Sequence, residues 1–164
     1  MFNSLKQKPT AIAQIKGSEN HPEIRGCVNF YQTKKGTLVA AEIFGLPYSS
    51  DKCKKDVFGF HIHDGNSCEE NKNTETPFPK SGVHYNPYDC PHPRHAGDLP
   101  PLFGNKGYAF STFLTDRFTV NEILCKTVII HSDVDNFTSQ PAGNAGEKIA
   151  CGVVKGWRSF RNFN

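Results

Sequence analysis

Six of the seven histidines in this 164-residue chain fall between His61 and His131, and imidazole is the commonest protein ligand for transition metals near neutral pH. Their densest point is residues 57–68, VFGFHIHDGNSC. In an extended strand residues two apart share a face, so His61 and His63 aim their rings at one point. An isolated His-x-His pair is more often a half-buried strand with satisfied ring nitrogens than a metal site. This pair has company downstream in His84, His92, His95, Asp98 and His131.

Zinc is usually held tetrahedrally by His, Cys or carboxylate, whereas copper accepts several imidazoles and can keep a position open. The spacing His84-x7-His92-x2-His95-x2-Asp98 offers three imidazoles and a carboxylate within one loop, a closed set for zinc. His61, His63 and His131 come from strands far apart in sequence. They form a separate, imidazole-rich set that suits copper.

The elements that must position these residues read as strands. Gly and Pro are plentiful, Phe is the commonest aromatic, and long apolar helical repeats are absent, so the chain is mainly β. Strands are expected at 11–15, 26–32 and 37–44 as a meander, then at 57–63, 107–114, 118–131 (ending in CKTVIIH) and 148–154. Residues 64–105 lack period, and so long a loop in a compact domain needs something to hold it, here metal. A second loop spans 132–147. Some eight strands with turn residues between them indicate a sandwich or barrel in a single domain, 1–164. Residues 1–10 and the tail after Trp157 read as loose, solvated ends.

The net charge of +3 is small and its basic residues are scattered, which argues against a nucleic-acid partner. No segment approaches 18 consecutive apolar residues, so no membrane span is expected. The opening MFNSLKQKPTAIAQIKG has no apolar run of secretory length, and a cytoplasmic location is the expectation. Six cysteines without a Cys-x-x-Cys should mostly stay free thiols in such a compartment.

Five segments in order, GFHIHDGNSC, GVHYNP, HAGDLP, VIIHSDVDN and GNAGEKIACGV, resemble the copper, zinc superoxide dismutase family, and with the strand pattern the resemblance covers about 11–154. It implies an all-β, eight-stranded Greek-key β-barrel with two long functional loops and a core over about 11–156. It also implies dismutation of superoxide anion at a copper and zinc centre, in a homodimer. Carried over by position, His61, His63, His84 and His131 correspond to copper ligands, and His84, His92, His95 and Asp98 to zinc ligands, His84 bridging the two. Asp135 corresponds to a carboxylate that hydrogen-bonds one histidine of each site, a type of partner that fixes tautomer and ring orientation. Cys68 and Cys151 correspond to a disulfide. No role transfers to Cys27, Cys53, Cys90 or Cys125, and a Cys53–Cys90 bridge has no support.

Three departures from the family pattern stand out. Only Pro93 and Arg94 separate His92 from His95, so the zinc loop is trimmed. The 132–147 loop lacks the rich charge pattern that guides an anion in eukaryotic members, so weaker steering is expected. Lys148 stands where the family has an active-site arginine, keeping the charge but not the guanidinium fork. The alternatives to an enzyme are a copper-binding or metal-buffering relative with little turnover, and an interaction protein whose zinc only orders the loop.

Overall fold

The computed structural model describes residues 7–53, 56–70 and 76–160; most of the expected leader and the last residues of the tail lie outside them. Strands β1 (Ala11–Gly17), β2 (Arg25–Thr33) and β3 (Gly36–Phe44) form the expected antiparallel meander. Side chains alternate between faces along a strand. Ala11, Ala13 and Ile15, then Val28 and Phe30, then Val39, Ala41 and Ile43 accordingly enter one core.

Residues 57–63 are not one strand. They split at Gly59 into β4 (Val57–Phe58) and β5 (Phe60–His63). The Gly59 N–H donates to the Asp133 carbonyl at 2.8 Å and its own carbonyl accepts from His131 N at 2.9 Å. A Cβ here would stand 2.8 Å from that of Ala145, so this close approach needs glycine. The other strands are β6 (Leu102–Phe103), β7 (Tyr108–Thr115), β8 (Thr127–His131) and β9 (Lys148–Gly156). Seven strands form one curled antiparallel sheet in the order β5-β8-β9-β1-β2-β3-β7, and β4 pairs with β6. Because β4 runs through Gly59 into β5, and β6 leads through an Asn105–Tyr108 bridge into β7, the small pair links the two edges of the large sheet. Counting β4 and β5 as one broken strand gives an eight-stranded Greek-key barrel.

All four residues of β5 are buried. Phe60 and Ile62 enter the core with Val128 and Ile130 of β8, each burial contributing about 1.5–3 kcal/mol. That fixes the register, and one residue of slip would invert every side chain. His61, His63 and His131 therefore face outward, under the two long loops.

The described residues of the first loop from Pro79 onward are more regular than their composition suggests. They include a 3-10 turn at Pro79–Ser81 and strand β6, and they form bridges His61↔Asp98 and His63↔His84. Ile62 N donates to Gly97 O at 2.9 Å and Tyr85 N to Ile62 O at 2.8 Å. Residues near 84 and 98 thus run along β5 as added edge strands. Of the stretch 118–131 only β8 is extended, because a 3-10 turn at Asn121–Ile123 and Cys125 at φ 66° interrupt it. After β9 the chain makes a short helix, α1 (Trp157–Phe160), where a loose tail was expected. The Cys68–Cys151 disulfide ties the loop after β5 to β9 across 83 residues of sequence.

Candidate metal centre

The fold brings seven widely spaced residues into two adjoining clusters, both buried. The ligand atoms of His61, His63, His84 and His131 lie within 4.8 Å of one another, as do those of His84, His92, His95 and Asp98. His84 belongs to both. Among the described residues these are the groups of His, Cys, Asp and Glu arranged to hold a metal ion.

Hydrogen bonds decide which nitrogen of each ring is left for a ligand. His63 Nδ1 is 2.9 Å from Gly82 O and His131 Nδ1 is 3.2 Å from Gly146 O. A carbonyl only accepts, so both Nδ1 atoms carry the proton and both Nε2 atoms are lone pairs. Those Nε2 atoms face each other at 3.4 Å with no proton between them. Asp135 accepts from His61 Nε2 at 2.8 Å and from His92 Nε2 at 2.9 Å. That leaves His61 Nδ1 and His92 Nδ1 as buried nitrogens without a hydrogen-bond partner, and His84 Nε2 is the third. His92 Nδ1 does lie 3.2 Å from an Asp98 oxygen, but this is one acceptor against another. On the other side of its ring, His84 Nδ1 is 2.8 Å from Asp98 Oδ1 and 3.4 Å from His95 Nδ1.

Buried lone pairs that converge without donors are costly unless a cation occupies the point between them. The donor set fits copper on one side, with four imidazoles, and zinc on the other, with three imidazoles and a carboxylate. Protonation states agree with that reading. Burial, reinforced by the neighbouring imidazoles, pushes His63 well below the usual histidine range and His131 down to about 3. Burial also lowers His61, against the opposing hydrogen bond to Asp135. For Asp135, burial would raise the carboxyl, but the bonds from His61, Phe137 N and His92 together outweigh it and hold the group below the usual range. Asp98 is likewise lowered, its burial outweighed by His84 and the other imidazoles around it. Neutral rings and ionised carboxylates are what metal ligation requires.

Lys148 stands at the start of β9, opposite His131 in the ladder. Its ammonium donates to Ser81 Oγ at 2.8 Å and to Gly82 O at 3.1 Å, the same carbonyl that receives His63. Two of its three protons are thereby used, and its charge acts on both His63 and His131. Burial lowers its pKa.

Sequence reasoning missed Gln140 and Gly143. The Gln140 amide grips His92 from both sides, Oε1 accepting from His92 N at 3.0 Å and Nε2 donating to His92 O at 2.8 Å. Gly143, at φ 68°, lets the backbone pass so close to Asp135 that a Cβ would lie 1.9 Å from Oδ1. A Gln 48 residues from its partner gives no local signal; Pro-Ala-Gly does mark a turn, though not what the turn avoids.

The pattern of copper/zinc superoxide dismutase (SODC) matches residues 24–154. The chain belongs to the copper/zinc superoxide dismutase family. A superoxide dismutase [Cu-Zn] from Deinococcus radiodurans is 31% identical, over 90% of this chain and 85% of that one. An extracellular superoxide dismutase [Cu-Zn] from Brugia pahangi is 26% identical, over 92% and 78% respectively. Among solved structures, Cu/Zn superoxide dismutase from Brucella abortus superposes with a TM-score of 0.72 at 25% identity, over 87% of this chain and 98% of that one. The protein is a copper- and zinc-dependent oxidoreductase whose substrate is superoxide, which it converts to oxygen and hydrogen peroxide. No helix among the described residues is long and apolar enough to cross a membrane.

Proposed function

We propose that dismutation is carried by His61, His63, His84 and His131 as copper ligands, by His84, His92, His95 and Asp98 as zinc ligands, and by Lys148 as the anion-placing residue. The observation that carries this is the His84 ring, whose Nδ1 meets Asp98 and His95 while its buried Nε2 has no protein partner. Bound copper supplies the one-electron chemistry by alternating between Cu(II) and Cu(I), one superoxide being oxidised to oxygen and a second, with two protons, reduced to hydrogen peroxide.

The protein's own residues do the rest. His84 bridges the two clusters and holds or releases a proton at Nε2, the atom for which no side chain competes. Asp135 fixes the rings of His61 and His92, one from each set, in the tautomer that leaves Nδ1 free. Lys148, anchored on Ser81 and Gly82, presents its remaining proton and a fixed charge beside His63 and His131, raising the local concentration of a small anion.

The reading takes 1–164 as one domain acting as a homodimer in the cytoplasm. Exposed Phe44 and Phe110, beside Tyr108 on the outer face of β3 and β7, support a self-association surface. Four free cysteines, two of them exposed, support a compartment that does not oxidise thiols freely. The test is superoxide turnover by pulse radiolysis on metal-analysed protein, normalised to bound copper. Copper bound without turnover would favour the metal-buffering relative.

A further inference from the structure

We propose that Arg117 is a positioning residue for the zinc half of the centre, an inference that rests on the zinc assignment above. Arg117 follows β7 and belongs to neither cluster. Its Nη1 lies 3.2 Å from Pro93 O, 3.2 Å from His95 O and 3.3 Å from Asp98 O. One Nη1 has two protons for these three acceptors, so the full charge, and not donor count alone, holds the convergence. Three carbonyl oxygens pointed at one spot repel each other unless a cation stands there.

The residues so gathered include the zinc ligands His95 and Asp98, and Pro93 follows the ligand His92. Within 92–95 no residue pairs with a strand, so the shape of this trimmed link depends on side chains. Arg117 is tied to the barrel in turn, its own N–H donating to Thr115 Oγ1 at 3.2 Å. The guanidinium therefore joins the end of β7 to the carbonyls of the ligand-bearing segment. It lowers the cost of keeping the His95 and Asp98 donors within reach of His92 and His84. Its outer side meets solvent, which keeps the effect moderate.

The test uses the full-length protein loaded with zinc alone, and then with cobalt(II) as a coloured substitute. Arg117→Gln is expected to weaken zinc binding by about ten-fold or more in competition with a chromophoric chelator, the range found for lost outer partners of metal ligands. The cobalt spectrum should change while copper affinity stays as in wild type. Arg117→Lys keeps the charge and is expected to lose less. Should Arg117→Gln not fold, Arg117→Lys decides alone, by weaker zinc binding with copper unchanged. Wild-type zinc affinity and cobalt spectrum in both variants would overturn the proposal, as would parallel loss of zinc and copper. Wild-type protein that takes up no zinc would overturn the zinc assignment itself, and this proposal with it.

Discussion

His61, His63 and His131 stand on β5 and β8, where backbone pairing sets their positions, and His84 and Asp98 are zipped onto β5 by the bridges His63↔His84 and His61↔Asp98. His92 and His95 have no such ladder. The His92 amide donates to the Gln140 side chain and the His95 amide to the Asp98 carboxylate, while Asp135 holds the His92 ring. A ladder hydrogen bond is backed by its neighbours, whereas each side-chain clamp can be lost singly. The proposed copper half is thus built by the barrel, and the His92–His95 corner of the proposed zinc half is assembled by a few side chains on a loop.

The largest expected effect comes from removing the residue common to both halves. His84→Ala should alter copper and zinc stoichiometry together and lower zinc affinity by about 100-fold or more, beyond what losing an outer partner does. Elemental analysis showing zinc lost but the copper spectrum intact would break the bridge assignment.

Opening the disulfide tests the scaffold under both halves. Cys68→Ser or Cys151→Ser should cost about 2–4 kcal/mol, against a loop-entropy ceiling of about 4.5 kcal/mol for a separation of 83 residues. Calorimetry should show Tm lower by roughly 5–15 °C, with far-ultraviolet circular dichroism nearly unchanged. Both thiols found alkylated in native, metal-loaded wild type would remove the claim.

Gly143→Ala sharpens the contrast by striking one clamp. The left-handed backbone alone costs about 1–2 kcal/mol, and the new Cβ displaces Asp135. Zinc affinity should fall by about 10- to 100-fold, with copper affinity changed less, because His61 remains on its strand. Equal losses at both metals would blur the distinction.

Lys148 gives the smallest expected effects, because in the proposed mechanism it places substrate without holding either metal. Lys148→Ala should lower the rate by about ten-fold or more, equal to at least roughly 1.4 kcal/mol, whereas Lys148→Arg should raise it modestly. A lysine works only while protonated. Burial lowers its pKa, so activity should fall as pH rises through that lowered value, earlier than for a free lysine. Arginine stays charged there and should extend the alkaline limb in pulse radiolysis at fixed ionic strength.

The same contrast governs what the sequence made legible. Alternation revealed β1, β2, β3 and β7, and His-x-His on β5 announced its own geometry. The break at Gly59 was hidden, because it answers Asp133 and Ala145, far along the chain. Strand β6 is two residues long, too short for a period to show. That the two clusters would meet at His84 was expected only from family resemblance, since spacing alone separated a zinc loop from a copper set without joining them. Ser81 and Gly82 beneath Lys148, Gln140 on His92 and Arg117 on the loop carbonyls are contacts made by the folded chain, and no local pattern encodes them.

Residue-resolved hydrogen exchange on the metal-free protein tests the two-part construction most directly. The amides of Ile62, Tyr85 and His131, bonded to the backbone carbonyls of Gly97, Ile62 and Gly59, should be strongly protected. Those of His92 and His95, bonded to side chains, should exchange about 100-fold faster or more through local opening, and zinc should slow them selectively. Equal protection at all five amides without metal, or zinc protecting β5 and β8 as much as the His92–His95 corner, would contradict the account.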